Sequence, residues 1–169
     1  MRPLAVWVTL LAVVLAGCQG RLAPEAALAA ALRVPVVFRW DDAAWPSGER
    51  QWGGVAFVER AGRIHSVAWP DTVGGRKWPA VYGVGRREGL RLVVEYRTLV
   101  PDPAHEFYRA DCRFDLADDL QTFRCDYTQR TIPQSTELTP GLSLGTRDPV
   151  PDADAYLEWL AGRMDDGDP

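Results

Sequence analysis

Residues 108–129 decide the fold class, and they read YRADCRFDLADDLQTFRCDYTQ. Apolar and charged side chains alternate on both sides of Asp118-Asp119, which is the pattern of two antiparallel strands with one buried face. A turn centred between Asp118 and Asp119 would place Cys112 opposite Cys125, and Phe114 opposite Phe123, on the same face. The segment therefore predicts a β-hairpin with one apolar side and one charged side.

The same two-residue period continues upstream of this hairpin. Further strands are predicted at 34–40, 52–59, 63–69, 78–86 and 90–99. Three-residue turns at 60–62 and 87–89 would use Gly62 and Gly89 in the left-handed conformation. Together with the hairpin strands at 106–115 and 121–129, this makes about seven strands joined mostly by short turns.

The remainder of the chain completes the predicted fold. Residues 131–151 are rich in Pro, Gly and Thr and read as irregular, whereas residues 152–164 predict a short helix capped by Asp152. The predicted fold class is mainly β, an antiparallel meander that forms a curved sheet or a small barrel and carries a short C-terminal helix.

Length and charge limit the classes of protein that this chain can belong to. It has 169 residues, 47% of them hydrophobic, which suits one domain with a real core. The formal net charge of −4 argues against nucleic acid as a partner, because such proteins carry an excess of basic residues.

The N-terminus has the organisation of an export signal. A short positive start, Met1-Arg2, precedes the apolar run 3–16, which ends at Leu15-Ala16-Gly17-Cys18. These four residues resemble the lipobox of bacterial lipoproteins. The resemblance implies that residues 1–17 are a signal peptide and that Cys18 becomes the lipidated N-terminus, with diacylglycerol on its sulfur and an acyl chain such as palmitate on its amine. The alternative is an uncleaved membrane helix with a chance cysteine.

The resemblance also implies a location. Gln19 follows the lipidated cysteine, and the Asp that retains many lipoproteins in the inner membrane is absent there. The outer membrane, with the protein facing the periplasm, is therefore expected. Residues 18–33 form a tether whose Ala-rich part, 25–32, is either a spacer or a packed helix. The periplasmic domain spans 34–164, and 165–169 are an acidic tail.

Two of the three cysteines remain once Cys18 is lipidated. An even pair in an exported chain predicts a disulfide, here between Cys112 and Cys125. A redox or metal role is the alternative, although the chain has no CxxC spacing and no nearby set of His ligands.

Aromatic residues concentrate at positions predicted to face inward. They are Trp40, Trp69, Trp78, Tyr82, Tyr96, Tyr108 and Tyr127. Such a face could line a cavity for an apolar ligand with a polar group, or it could be a tightly packed aromatic core. The architecture is similar to that of lipocalin-like barrels, but the chain lacks the early Gly-x-Trp signature of that family.

No catalytic, metal or cofactor motif is found. His65 is predicted on the inner face, and Ser66 beside it would point to the opposite face, so the two could not act together. The sequence therefore predicts a non-catalytic binding or accessory module, with an envelope protein as a possible partner. The alternatives are a carrier of a small amphipathic ligand, or a periplasmic inhibitor of a cell-wall hydrolase that acts through loops at 42–50, 70–77 or 131–150.

Overall fold

The computed structural model describes residues 22–42, 51–70, 80–98, 107–132, 138–147 and 153–165. Within these ranges there are two helices, α1 (Pro24–Ala31) and α2 (Ala153–Asp165). The strands are β1 (Val36–Asp42), β2 (Gln51–Arg60), β3 (Arg63–Pro70), β4 (Val81–Glu88), β5 (Arg91–Thr98), β6 (Phe107–Leu116), β7 (Thr122–Ile132) and β8 (Thr139–Thr146). The signal peptide, Cys18 and residues 166–169 lie outside the described residues.

The strands form a closed barrel in chain order, each antiparallel to the next. Closure is made between β8 and β1, where Trp40 pairs with Gly145 and Asp41 with Leu144. The prediction of a mainly β antiparallel meander with a C-terminal helix is confirmed. Of the two predicted forms, the curved sheet and the small barrel, the chain adopts the barrel.

The closing strand β8 was predicted as irregular because Pro140, Gly141 and Gly145 read as strand breakers. Pro140 lies in the part of β8 that pairs with β7 alone, where a missing N–H is tolerated. A Cβ at Gly141 or Gly145 would overlap the ring of Tyr127 or Phe123, respectively. The glycines therefore make room for core rings on the neighbouring strand, and barrel closure overrides their low strand propensity.

The turn between β2 and β3 is one residue shorter than predicted. It consists of Ala61-Gly62, both left-handed with φ of +50° and +76°, as a two-residue hairpin turn requires. Phe57 therefore pairs with Ser66 instead of His65. Since a one-residue slip moves every side chain to the other face, Ser66 points into the barrel and His65 points out, the reverse of the prediction.

The β4–β5 turn is shortened in the same way. Glu88 pairs with Arg91, and the connection contains Gly89 at φ +64°. Gly83 consequently pairs with Tyr96 and faces inward, whereas Tyr82 faces outward beside Arg97.

Phenyl rings in edge-to-face contact fill the centre of the barrel. The ring centroids of Phe57 and Phe114 are 4.8 Å apart, those of Phe114 and Phe123 are 5.2 Å apart, and those of Phe38 and Phe123 are 5.3 Å apart. Val55, Ile64, Leu92 and Val94 complete this layer and are each at most 1% exposed. Aromatic pairs in this geometry stabilise by about 0.5–1.5 kcal/mol beyond their buried area.

Helix α1 covers one end of the barrel, hereafter the α1 end. Leu28 and Leu32 are each 1% exposed and pack on the barrel core. The Glu59 N–H donates to the Leu32 carbonyl oxygen at 2.8 Å, which fixes the helix to the β2–β3 hairpin. Of the two predicted alternatives for this segment, the packed helix is the one observed. The opposite end, where β1, β3, β5 and β7 finish, is called the far end.

Helix α2 packs on the outside of the barrel. Ala153 and Leu157 contact a second apolar cluster on the outer faces of β2 and β3, formed by Ala56, Val58, Val67 and Trp69. This cluster exists because the shortened turn places Val67 and Trp69 outside. The helix therefore shields apolar side chains that the barrel interior does not accept.

The β6–β7 hairpin is shifted by two residues from the predicted register. Cys112 pairs with Tyr127 and Phe114 with Cys125, so the two cysteines are diagonal neighbours. Diagonal Cα atoms lie about 7–8 Å apart, beyond the usual span of a disulfide. Both cysteines are free, and the predicted disulfide is not found. On the outer face, the observed register pairs Arg113 with Asp126, whereas the predicted one faced like charges.

Candidate binding site

The predicted ligand-lining residues divide between the two sides of the barrel wall. Trp40, Tyr96 and Tyr127 belong to the interior cluster. Trp69 and Tyr82 belong to the outer cluster beneath α2, so their assignment to the interior was wrong. Trp78 and the Tyr108 side chain lie outside the described residues. The barrel therefore brings together only part of the predicted aromatic lining.

The interior aromatic residues at the far end lie over glycines of neighbouring strands. A Cβ at Gly53 would crowd the indole of Trp40, just as one at Gly141 would overlap the Tyr127 ring. The Trp40 Nε1–H donates to the Gly54 carbonyl oxygen at 3.0 Å. These contacts hold both rings against the wall of the barrel.

Tyr96 and Ser66 form a hydrogen-bonded pair inside the barrel. The Ser66 hydroxyl donates to the Ala56 carbonyl oxygen at 2.8 Å, so the Tyr96 hydroxyl, 2.5 Å away, donates to Ser66 Oγ. Burial raises the pKa of Tyr96 well above its ordinary value, and the neighbouring Cys112 raises it further. Tyr96 therefore stays a neutral hydrogen-bond donor, with a structural partner already in place.

Gln129 is a buried polar residue of the barrel interior whose hydrogen bonding is incomplete. It is 6% exposed and lies on β7 between Ala110 of β6 and Thr139 of β8. Its Oε1 atom is buried and has no hydrogen-bond partner, and no other buried side-chain oxygen or nitrogen in the described ranges lacks one. An unpaired buried carbonyl costs about 1–3 kcal/mol, so this oxygen is suited to accept a hydrogen bond from a bound molecule.

The sequence does contain a signal for the inward position of Gln129. Phe123, Cys125 and Tyr127 alternate on the inner face, and the next position of that series is Gln129. Ser66 could not be found in this way, because its orientation depends on the length of the Ala61-Gly62 turn.

His65 lies on the outer side of the barrel, away from this site. Its Nδ1 is 2.8 Å from the Tyr82 hydroxyl oxygen. Burial lowers the pKa of His65, and the charges of Arg63 and Arg60 lower it further. As predicted, His65 and Ser66 project to opposite faces of β3, so they do not form a nucleophile–base pair.

Two further surfaces lie on the outer wall. Exposed ion pairs cover β5 to β7, among them Arg91–Asp115 at 2.6 Å, Arg109–Glu95 at 2.9 Å and Arg124–Asp126 at 2.8 Å. Beside them, an apolar region that we call the wall patch comprises Trp52 and Leu144, which are 38% and 49% exposed. Trp52 and Leu144 both pair with Asp41 and flank it on either side.

Other chemistry at the described residues is limited. Burial raises the pKa of the Cys125 thiol well above its ordinary value, and contact with Cys112 raises it further, which makes the thiol a poor nucleophile. In the ranges covered by the structure, no three His, Cys, Asp or Glu side chains are grouped to hold a metal ion. The predicted inhibitor loops fall largely outside the described residues, and part of 131–150 is strand β8.

Comparison with models of known protein families finds no match, and a search of curated proteins finds no relative of significant similarity. Neither helix of the described chain is long and apolar enough to cross a membrane. The class of this protein is therefore defined by its fold, a small closed antiparallel barrel with one helix at its end and one on its side.

Proposed function

We propose that this protein is a lipid-anchored module of the bacterial cell envelope that faces the periplasm and binds an envelope protein without catalysing a reaction. The anchor is Cys18, and the binding surface is the wall patch. The observation that carries the proposal is the exposure of Trp52 and Leu144 on either side of Asp41 on the barrel wall.

The wall patch has the composition of a protein-binding surface. An exposed tryptophan such as Trp52 is the kind of anchor that dominates binding energy at interfaces. The apolar side chains are bordered by the Arg124–Asp126 pair, since Leu144 pairs with Arg124 on β7. With Asp41 between the two apolar side chains and Arg124 at their edge, a partner would have to complement both apolar and charged groups.

The anchoring part is tested by substitution of Cys18. We expect the mature protein from envelope fractions to carry a diacylglycerol and an acyl chain by intact mass, and Cys18→Ser to lose both. If Cys18→Ser were still lipidated and membrane-bound, the anchor would lie elsewhere.

The binding part is tested by site-specific crosslinking in the envelope. A photoreactive amino acid at Leu144 should capture a discrete protein partner, and the Trp52→Ala change should abolish that product. The same probe at Arg113, on the charged wall, is the matched control. Identical products from both positions, or none from Leu144, would show that the wall patch is not a binding surface.

A second function, carriage of a small amphipathic ligand, is favoured by the unpaired Gln129 Oε1 at the far end. Because phenyl rings fill the centre of the barrel, a ligand that reaches Gln129 would enter from the far end. Such a ligand would present an N–H or O–H to Gln129 and apolar surface to Trp40 and Tyr127.

Native mass spectrometry of the periplasmic form, compared with Gln129→Met, tests this second function. Carriage predicts an extra bound mass that Gln129→Met loses, while Thr128→Val on the outer face retains it. The ligand-free Gln129→Met protein should gain about 1–2 kcal/mol of unfolding free energy, because it no longer buries an unpaired carbonyl. An empty protein with no such gain would remove the argument for carriage.

A further inference from the structure

We propose that the outer face of α1 lies on the surface of an anionic lipid bilayer, so that the barrel stands with its α1 end on the membrane and its far end away from it. This inference rests on the proposed lipidation of Cys18 and adds a defined orientation to it.

One face of helix α1 packs on the barrel, and the other face is not covered by any part of the described chain. Leu28 and Leu32 are buried in the core, whereas Leu22, Ala26, Ala30 and Val34 are all exposed. The exposed residues recur every four positions, which places them in one row along the helix and its flanks. Leu22 and Val34, at the two ends of this row, are 64% and 63% exposed.

The row crosses the α1 end of the barrel. Near its start, a Cβ at Gly89 of the β4–β5 turn would lie 3.0 Å from Glu25 Oε1, and at its finish Glu59 bonds to Leu32. The helix thus spans from one hairpin turn to another, and its apolar row is on the solvent side of this end. An exposed apolar row of this kind suits the boundary between head groups and acyl chains.

Arginines gather where α1 ends. Arg33, Arg60 and Arg63 are all exposed, and the Arg60 Nη1 group donates to the Arg33 carbonyl oxygen at 2.6 Å. Arg60 and Arg63 pair across the β2–β3 hairpin, so the three arginines are neighbours at one corner of the barrel. Basic groups beside an apolar helix face are the combination that binds anionic head groups, each worth about 1 kcal/mol near the surface.

The acidic residues of this end are either paired with an arginine or lie on another part of the rim. Glu59 forms an ion pair with Arg87 at 3.0 Å, and Glu88 forms one with Arg86 at 2.6 Å. Asp118 and Asp119 are exposed in the β6–β7 turn, and β6 is separated from β3 by β4 and β5. Glu25 is at the opposite end of α1 from Arg33. We therefore expect the barrel to tilt toward its arginine side.

The short stretch between Cys18 and Leu22 keeps α1 close to the membrane. Leu22 is the fourth residue after Cys18, and these four steps of the chain span at most about 14 Å when fully extended. A lipid in the bilayer at Cys18 thus keeps the start of α1 within about that distance of the surface. The apolar row and the arginines are at the α1 end, which is the end of the barrel nearest the lipid anchor.

The test uses the lipidated mature protein, reconstituted in vesicles of phosphatidylethanolamine and phosphatidylglycerol with brominated acyl chains. A polarity-sensitive fluorophore is attached through Ala26→Cys or, as the control, through Leu138→Cys at the far end. Labelling is selective because Cys112 and Cys125 are buried and the Cys18 sulfur is blocked by lipid. We expect blue-shifted, strongly quenched emission at position 26 and water-like, unquenched emission at position 138.

The outcomes separate the two proposals. If the protein carries no lipid and does not float with vesicles, the proposed anchor fails. If it floats but position 26 reports water as position 138 does, the anchor stands and the bilayer contact of α1 is wrong.

The charge contribution is tested with Arg33→Gln/Arg63→Gln. We expect the equilibrium between barrels that contact the bilayer and barrels that are held by the lipid anchor alone to shift toward the second state by about fivefold per arginine removed. The parent protein should shift in the same direction in vesicles of phosphatidylcholine alone, which carry no net charge. The matched control, Arg113→Gln/Arg124→Gln on the barrel wall, should change nothing. Equal effects of both pairs would show that the arginine cluster does not contact the bilayer.

Discussion

Cys112 and Cys125 lie against each other inside the barrel but in diagonal positions of the β6–β7 ladder. The diagonal separation disfavours a disulfide, and burial keeps both thiols from solvent. We predict that a thiol reagent modifies neither residue in the folded periplasmic domain and both after unfolding without reductant. Absence of reactive thiols in the unfolded protein would mean that the pair is oxidised and that the β6–β7 register differs from the one described.

His65 gives the stability of the domain a dependence on pH. Because its folded-state pKa lies below the ordinary value of 6.5, the unfolded chain binds a proton that the folded chain does not. The unfolding free energy should therefore fall as the pH drops from about 6.5 toward the folded-state pKa.

The contribution of His65 is isolated by comparison with His65→Gln. Urea unfolding of both proteins at about pH 7.5 and about pH 5 should show the difference in stability moving in favour of the variant at the lower pH. Since every other titrating group is common to the two proteins, a difference that stays constant with pH would show that the His65 pKa is not lowered.

At the scale of the elements, α1 is part of the folded domain although the sequence left it open as a spacer. Leu28→Ala should lower the unfolding free energy by about 2–5 kcal/mol, because Leu28 is 1% exposed in the barrel end. Leu22→Ala, at an exposed position of the same segment, should change it by less than about 0.5 kcal/mol. Equal small effects in urea unfolding would mean that α1 does not seal the barrel.

The fold class followed from the sequence because period-two alternation and Gly-containing turns are local signals. Turn length was not a local signal. Three residues at 60–62 and two residues at 61–62 both place Gly62 in a left-handed position, yet they assign opposite faces to His65 and Ser66. The errors at Trp69 and Tyr82 follow from these turn lengths, whereas Tyr96 and Tyr127 were correctly expected inside.

Whether a candidate site could be predicted depended, in the same way, on whether its signal is local in the sequence. Trp52 is at the start of a correctly predicted strand, but its place in one surface with Leu144 depends on β8, a strand that the sequence did not indicate. Gln129 was within reach of the alternation argument, while its missing partner is a property of the closed barrel. The period thus identifies which side chains of a strand share a face, whereas only the assembled barrel shows which face is inside and which buried groups lack a partner.

At the scale of the whole molecule, barrel closure and the outer helix respond in opposite ways to the same substitution. Gly145 lies beneath the Phe123 ring, which packs on Phe38 and Phe114, so an added methyl group would strain the centre of the core. Gly162 lies within α2, and a Cβ there would meet no atom within 4 Å.

Gly145→Ala should therefore lower the unfolding free energy by about 1–3 kcal/mol, because overpacked rings must leave their preferred rotamers. Gly162→Ala should raise it by about 0.5–1 kcal/mol, because alanine loses less backbone entropy in a helix. Thermal unfolding of both variants beside the parent measures the two effects. If Gly145→Ala were neutral, β8 would not close the barrel against Phe123. If Gly162→Ala were neutral or destabilising, α2 would not be a helix docked in the same cooperative unit as the barrel.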